Sequence, residues 1–411
     1  MTWFPPGDKR PRRLKFIGPW SASALAILGL GSLCVMPFNC VDAHLPPTSS
    51  LPSPLDAGKV VDPPVIPLAL LTESWERYKT RFVQSDGRVI DRKANGISTS
   101  EGQAYGLLRS VWMRDKATFD RIWQWTQNNL NTPARKDKLF AWKWGQLVDG
   151  TWGVMDKNSA SDADQLIAWS LLLAADRFGQ EVYRVQGAAI LPDLWNRNTQ
   201  DINGFRYMLA GDWRPDTGPL PVNPSYQMPF LYKSFARADP EHAWSRLITS
   251  SYQLLEQART QQGLPADWCY LDSQTGQLTL DQKPDSKFSD FGYEAFRVYW
   301  NLAAAHRWEH APEARALLDQ MGWLTTWWKV RQELPAVITW AGVPRESWRS
   351  LGMYGAFLPA LAVLDPAQAW LLFQKGIAPT YKDGYWGESD DYYAQNWVWL
   401  GLALSSERPA P

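Results

Sequence analysis

Three short stretches of this chain place acidic side chains where a helix would begin. The first is Ser98-Thr99-Ser100-Glu101-Gly102-Gln103-Ala104-Tyr105-Gly106. The second is Ser159-Ala160-Ser161-Asp162-Ala163-Asp164-Gln165, and the third is Phe291-Gly292-Tyr293-Glu294-Ala295-Phe296-Arg297. Each has an ordinary structural explanation. Ser98-x-x-Glu101 fits a capping box, Asp162 and Asp164 suit a helix's first turn, and Glu294 with Arg297 makes an i, i+3 pair worth about 0.2–0.5 kcal/mol. Two details strain those explanations. Gly102 and Gly106 would each cost a helix about 1 kcal/mol, unless the backbone must closely approach a ligand or a neighbouring helix. Asp162 and Asp164, two residues apart, point in different directions and should serve different partners. If all three stretches open at one end of a fold, their carboxylates converge. Glycoside hydrolysis needs such a pair: one carboxylic acid to protonate the leaving oxygen and one carboxylate to activate water. No Gly-x-Ser-x-Gly elbow and no Gly-x-x-x-x-Gly-Lys phosphate loop offers a competing chemistry.

Positioning these groups falls to helices. From about residue 70 onward the apolar period is helical, and it predicts twelve segments. They cover 70–83, 100–113, 116–130, 162–178, 181–195, 224–236, 240–260, 289–306, 311–330, 351–364, 365–377 and 390–405. Short gaps alternate with longer Gly-, Pro-, Asp- and Trp-rich connections, the pattern of antiparallel helical hairpins. Six hairpins closed head to tail predict an all-α fold, an (α/α)6 barrel of six inner and six outer helices. Its long loops gather at one end and leave a cleft suited to a polymer. Short strand-like pieces, 87–91 and 276–280, read as β-hairpins in those loops. A helical solenoid would show a repeat of fixed period, and none is visible.

The 411 residues carry 42 Lys+Arg and 42 Asp+Glu, a zero net charge that argues against a general nucleic-acid binder. With 45% apolar residues, wholesale disorder is excluded as well. The outlier is tryptophan, at 25 residues, which fits either an aromatic core or a surface for sugar rings. Residues 16–41 are uncharged and follow the basic run Lys9 to Lys15. That is an export signal, with cleavage after Ala43, or a retained membrane anchor. Residues 1–43 therefore form the signal or anchor and 44–68 a Pro-rich linker. Residues 69–405 form the catalytic domain, and 406–411 a tail. The protein is expected to be exported, periplasmic or extracellular, with membrane contact only through residues 16–41, and monomeric. Cys34 and Cys40 lie in or beside the export segment, leaving Cys269 alone in the body, so no disulfide framework is expected. His306 and His310 are spaced i, i+4 without a third ligand nearby, and read as a solvated face; no metal or other cofactor is expected.

Ala160-Ser161-Asp162-Ala163-Asp164, followed by Ile167-Ala168, Ser170, Ala174 and Phe178, resembles the signature of glycoside hydrolase family 8. The likeness is strongest to its cellulase branch, which accompanies bacterial cellulose synthesis. Thr99 to Gly106, Trp125 to Leu130, Ala141 to Gly145, Asn223-Pro224-Ser225-Tyr226, Asp267-Trp268 and Tyr293 to Tyr299 are similar in the same order, over about 70 to 405. The resemblance implies a six-hairpin α/α barrel, an inverting mechanism and a β-1,4-glucan substrate, with cellulose-synthesis machinery a possible partner. It implies Glu101 as proton donor and Asp162 as the group holding a distorted sugar. Tyr226 and Arg297 would position the water and its base, with Trp142, Trp144 and Trp268 as stacking platforms and Tyr105 and Asp164 as further substrate contacts. One departure stands out: the family's base is usually Asp, whereas this chain has Glu294. One more methylene moves the carboxylate by about 1.5 Å in a step sensitive to such shifts. Either Glu294 bends to serve, or Asp290 one turn earlier replaces it, or the enzyme is slow.

A helix N-terminus lowers a carboxyl pKa, so a neighbouring carboxylate, Asp162, and aromatic burial are expected to keep Glu101 protonated. Glu294 should stay ionised beside Arg297, ~6.5–9.5 Å from Glu101, to leave room for water. Two other readings predict different outcomes. A non-catalytic glucan-binding protein would bind polysaccharide without releasing reducing ends. A purely structural toroid would bury Trp142, Trp144 and Trp268. Within the tryptophans, those in helices (Trp123, Trp125, Trp169, Trp300, Trp327, Trp328, Trp397, Trp399) are expected to pack the core. Trp142, Trp144, Trp268, Trp152, Trp213 and Trp386 are expected to ring the cleft.

Overall fold

The computed structural model describes residues 66–406, apart from 133, 134, 284 and 347. The expected signal or anchor, nearly all of the linker and residues 407–411 of the tail lie outside them. The described residues belong to one unit that begins at Val60. Helices dominate it: α1 (Leu68–Phe82), α2 (Ser100–Trp112), α3 (Lys116–Asn129), α4 (Ser161–Phe178), α5 (Glu181–Asn198), α6 (Tyr232–Ala238), α7 (Ser245–Gln257), α8 (Arg297–Glu309), α9 (Pro312–Gln320), α10 (Trp323–Arg331), α11 (Leu351–Leu364), α12 (Pro366–Leu372) and α13 (Tyr392–Ser405). Among the described residues, none is long and apolar enough to cross a membrane.

Among the described residues, four small antiparallel sheets occupy the connections. They are β1 (Ser98–Thr99) with β2 (Lys143–Gln146) and β3 (Trp152–Asp156); β4 (Thr199–Ile202) with β5 (Phe205–Met208); β6 (Leu220–Val222) with β7 (Cys269–Leu271) and β8 (Leu278–Thr279); and β9 (Tyr381–Lys382) with β10 (Tyr385–Trp386). The first sheet ties the start of α2 to the tryptophan-rich hairpin, pairing Ser98 with Trp144 and Thr99 with Lys143.

The short connections act as expected. Asp115 ends the α2–α3 link by accepting from the Thr118 N–H, and Gly179 closes α4 in a left-handed conformation. Three expected helices are corrected. The segment 224–236 is two 3-10 turns, Pro224–Tyr226 and Pro229–Leu231, before the short α6. Both prolines lack the N–H that a continuing helix would need. The segment 289–306 becomes helical only at Arg297, so Glu294 sits in a turn rather than on a helix. The segment 311–330 also breaks, at Met321 and Gly322, into α9 and α10.

Helices α2, α4, α8 and α13 each send a tryptophan into one aromatic cluster. Trp112 of α2 packs within 6.0–6.5 Å of Trp169, Trp300, Trp308 and Trp399. Phe230, from the second 3-10 turn, reaches Trp169, Trp300 and Trp308 at 5.5–5.7 Å. Most of these contacts are edge-to-face, the favoured arrangement for aromatic pairs. Much of the tryptophan excess is therefore core. Beside the cluster, Arg109 of α2 is fully buried, with no carboxylate partner among the described residues. Its guanidinium lies 4.0–5.1 Å from the rings of Trp75, Tyr78 and Trp399 and donates to the Gln395 carbonyl and Asn396 Oδ1. Burial pulls its pKa down to about 9.

Helices α11 and α13 touch backbone to backbone. A Cβ built on Gly401 would stand 1.8 Å from the Gly355 carbonyl oxygen, where nothing flexible can yield. Gly401→Ala is expected to destabilise the protein by about 1–3 kcal/mol, as overpacking does, in a urea titration. An unchanged midpoint would show that the two helices can part.

Candidate active site

The acid-bearing stretches do converge, and one residue explains how. Arg297 opens α8 and its side chain is only 4% exposed. Its Nη1 donates to Glu101 Oε1 at 2.7 Å and to Asp162 Oδ2 at 2.9 Å, while Nη2 pairs with Glu294 Oε2. Glu101 lies in the first turn of α2 and Asp162 in the first turn of α4. Three carboxylates from three parts of the chain thus share one guanidinium. Sequence spacing marked only the Glu294 pair.

Glu101 is free to join because it forms no capping box. Thr99, not Ser98, caps α2 by accepting from the Gly102 N–H, and Ser98 Oγ instead accepts from Arg88 Nε at 2.9 Å. Glu101 then accepts from Tyr105 OH at 2.9 Å and from Tyr392 OH at 3.4 Å. The two glycines beside it have neighbours close by. A Cβ on Gly102 would meet the Tyr392 hydroxyl at 3.2 Å, and one on Gly106 would meet Ile122 of α3 at 2.9 Å. Burial pushes the Glu101 carboxyl up, Arg297 opposes it and Asp162 adds to it. Asp162 is raised likewise, by burial against the pull of Arg297. Two carboxyls on one nitrogen cannot both be cheaply ionised in such a place.

Asp164 faces elsewhere, as its spacing from Asp162 predicts. It is fully buried, accepts from the Phe140 N–H at 3.1 Å, and burial raises it well above the ordinary carboxyl range. It holds the 139–141 chain that leads into Trp142 rather than joining the Arg297 cluster. Asp290 is also tied away from the cluster, accepting from Arg345 Nε at 2.7 Å and the Trp340 N–H at 3.1 Å. Glu294 is held instead by Asn223 Nδ2 at 2.8 Å. Asn223 was not singled out for a role by sequence reasoning, although it opens the Asn223-Pro224-Ser225-Tyr226 motif. Tyr226 lies under the site with Arg297 5.3 Å above its ring, and its own ring meets Trp268 edge-on at 6.0 Å.

The tryptophans divide differently from expectation. Trp142 and Trp144 are half-buried, and the Trp142 carbonyl accepts from the Ser100 N–H at 3.0 Å, beside Glu101. Trp144 stacks on Trp152 at 5.3 Å, with the Arg88 guanidinium 4.4 and 4.6 Å from the two rings. Trp152, at 48% exposed, presents the open indole of that group. Trp268 is buried between Tyr226 and Phe288, and Trp386 is wholly buried against Tyr381. A loop position rich in Gly and Asp does not ensure exposure, because these loops fold back on the helices.

The family model described as glycosyl hydrolases family 8 matches residues 68–366. An endoglucanase of Escherichia coli K12 is 30% identical over 337 residues, covering 79% of this chain and 86% of the relative. The crystal structure of an endo-1,4-D-glucanase from Vibrio fischeri superposes with a TM-score of 0.70 at 30% identity, over 80% of this chain and 93% of that one. A beta-1,3-1,4-glucanase from Paenibacillus shares the fold with the same TM-score at 21% identity, over 84% and 93% of the two chains. The chain belongs to family 8 of the glycosyl hydrolases. It is a glycoside hydrolase.

Proposed function

We propose that the protein is an exported, inverting endo-β-1,4-glucanase whose (α/α)6 barrel carries Glu101 as general acid and Glu294 as general base. The observation that carries this reading is the Arg297 guanidinium, bonded to Glu101 and Asp162 on one nitrogen and to Glu294 on the other. An acid and a base need opposite protonation states in one site. Burial, helped by Asp162, outweighs the pull of Arg297 and favours the protonated form of Glu101, whereas Glu294 pairs with the Arg297 cation and accepts from the Asn223 amide. This reading requires the Glu101 and Glu294 carboxyls to stand about 6.5–9.5 Å apart, the gap an inverting pair needs for its water. Asp162 keeps one buried oxygen without a partner among the described residues, available to a sugar hydroxyl. Tyr226 and Arg297 position the water, and Trp142 and Trp144 shape the cleft wall, with Trp268 buried behind Tyr226.

The ring closure is supported by neighbours in succession. Helix α2 packs on α4, α8 on α11, and α11 on α13, while Tyr105 of α2 meets Trp397 of α13 at 5.6 Å. The endoglucanase names of the relatives in Escherichia coli and Vibrio fischeri support a β-1,4-glucan as substrate. Residues 1–43 would export the 69–405 catalytic domain, a monomer, to the periplasm or the cell exterior, or anchor it to the membrane through residues 16–41, near machinery that makes cellulose.

The test is an anomer-resolved assay on carboxymethyl-cellulose, xylan and chitosan. Inversion at a β-linkage releases the α-anomer first, and preference for the cellulose derivative is expected; β-anomer first would overturn the mechanism. The pH profile has a defined sign. Raised Glu101 stays protonated above the ordinary carboxyl range near about 4.3, so kcat/KM should fall only as pH rises through that higher value. An aryl cellobioside whose leaving group needs no proton should flatten this alkaline limb. A limb equally steep on both substrates would remove Glu101 from the acid role.

A further inference from the structure

The turn carrying Glu294 is built around a buried acid, Asp267, to which sequence reasoning gives no role. Asp267 Oδ1 accepts three backbone N–H groups, from Gly292 at 3.0 Å, Glu294 at 3.0 Å and Ala295 at 2.7 Å. Helix α8 begins just after, and its N-cap Phe296 has no side-chain cap of its own. The carboxylate of Asp267 therefore satisfies, from 25 to 28 residues away, three backbone N–H groups of the turn that leads into α8. Asp267 is itself fixed. Its N–H donates to the Asp290 carbonyl at 2.7 Å, and the next residue, Trp268, donates to the Phe288 carbonyl at 2.9 Å. Gly292 leaves just enough room, since a Cβ there would stand 2.7 Å from Asp267 Oδ2. The carbonyl of Glu294 in turn accepts from Arg297 Nε at 3.4 Å, so the depth of the turn and the place of the guanidinium are linked.

We infer that Asp267 is a positioning residue that sets where the Glu294 carboxylate stands relative to Arg297 and the attacking water. This rests on the reading of Glu294 as general base. It also gives the longer side chain a physical setting: a turn pinned through its own backbone fixes the Cα from which the extra methylene extends. The role needs an oxygen acceptor at one point in space and not a charge. The substitution Asp267→Asn keeps such an acceptor, and Asp267→Ala removes it.

The experiment measures kcat and KM on cellohexaose for the wild type, Glu294→Gln, Asp267→Ala, Asp267→Asn, Gly292→Ala and the double variant Asp267→Ala/Glu294→Gln. Loss of activity in Glu294→Gln tests the underlying reading by itself; the Asp267 arms are then read in an enzyme already shown to depend on that base. Misplacement by about 1 Å costs on the order of 10²-fold, so Asp267→Ala is expected to lose roughly that factor in kcat with KM nearly unchanged. Asp267→Asn should recover most of it, and the double variant should be no slower than Glu294→Gln, because residues acting through one another are not additive. If the alanine protein does not fold, Gly292→Ala crowds the same carboxylate and should lower kcat in the same way. Wild-type kcat in the folded Asp267→Ala protein, equal losses in the Ala and Asn variants, or a multiplicative loss in the double variant would each overturn the inference. So would wild-type kcat in Gly292→Ala.

Discussion

Glu101→Gln is expected to abolish hydrolysis of unactivated glucan while leaving the fold intact. A positioned general acid contributes about 10²–10⁴-fold, and a glucosyl leaving group cannot depart readily without its proton. Gln keeps the shape and can still accept from Tyr105, so the helix start and its neighbours should remain in place. It replaces a carboxyl that the site favours in its protonated form by a neutral amide whose oxygen can still accept from Arg297, so thermal stability should shift little and polysaccharide binding should persist. The measurement is turnover on carboxymethyl-cellulose alongside a melting curve. Turnover within a few-fold of the wild type would refute the acid role. An aryl cellobioside with a good leaving group should retain far more of its rate in this variant, because the missing proton no longer matters there.

Arg297→Met should be the most disruptive single change. Removing one partner from a buried ion-paired cluster costs about 3–5 kcal/mol, because the remaining charges stay buried and uncompensated. Here Asp162, 4% exposed, and Glu101, 23% exposed, would face each other without the cation that now opposes their rise. Both folded-state pKa values, already raised, should climb further. The sign follows from linkage. The folded variant keeps protons that the unfolded chain releases above about pH 4, so its stability falls as pH rises through the window between those values. Its deficit against the wild type should therefore be smaller at about pH 5 than at about pH 8 in urea titrations. An equal deficit at both would make the loss one of packing. Catalysis should also fail, since both the acid and the base lose their common anchor.

The helices that carry Glu101 and Asp162 were legible because their apolar period and turn residues agree over many positions. The stretch that carries Glu294 was not. Residues 289–296 continue the same apolar period, and nothing local signals that the first turn is replaced by a loop wrapped on Asp267. The sequence pattern at Ser98-x-x-Glu101 also favoured a capping box. Arg88, ten residues earlier, claims Ser98 and leaves Glu101 to the site. The Arg297 hub was half visible, as an i, i+3 pair, while its bonds to Glu101 and Asp162 span 196 and 135 residues. Composition could count the tryptophans but not sort them, because Trp268 and Trp386 lie in loop-like sequence and are buried all the same.

The Arg297 hub has a consequence for the cycle as a whole. On the roles proposed above, Glu101 begins each turnover neutral and ends it as an anion, while Glu294 begins as an anion and ends it neutral. The guanidinium therefore sees the same total charge before and after the bond is cut; only the nitrogen that faces the anion changes, from Nη2 to Nη1. Burial and Asp162, which favour a protonated Glu101, then draw a proton back to that carboxyl. The return passes through solvent once the product has left, so recovery of the starting protonation state is a separate step that follows release, and any solvent isotope effect it carries adds to kcat while kcat/KM keeps only the effect of the bond-cutting step.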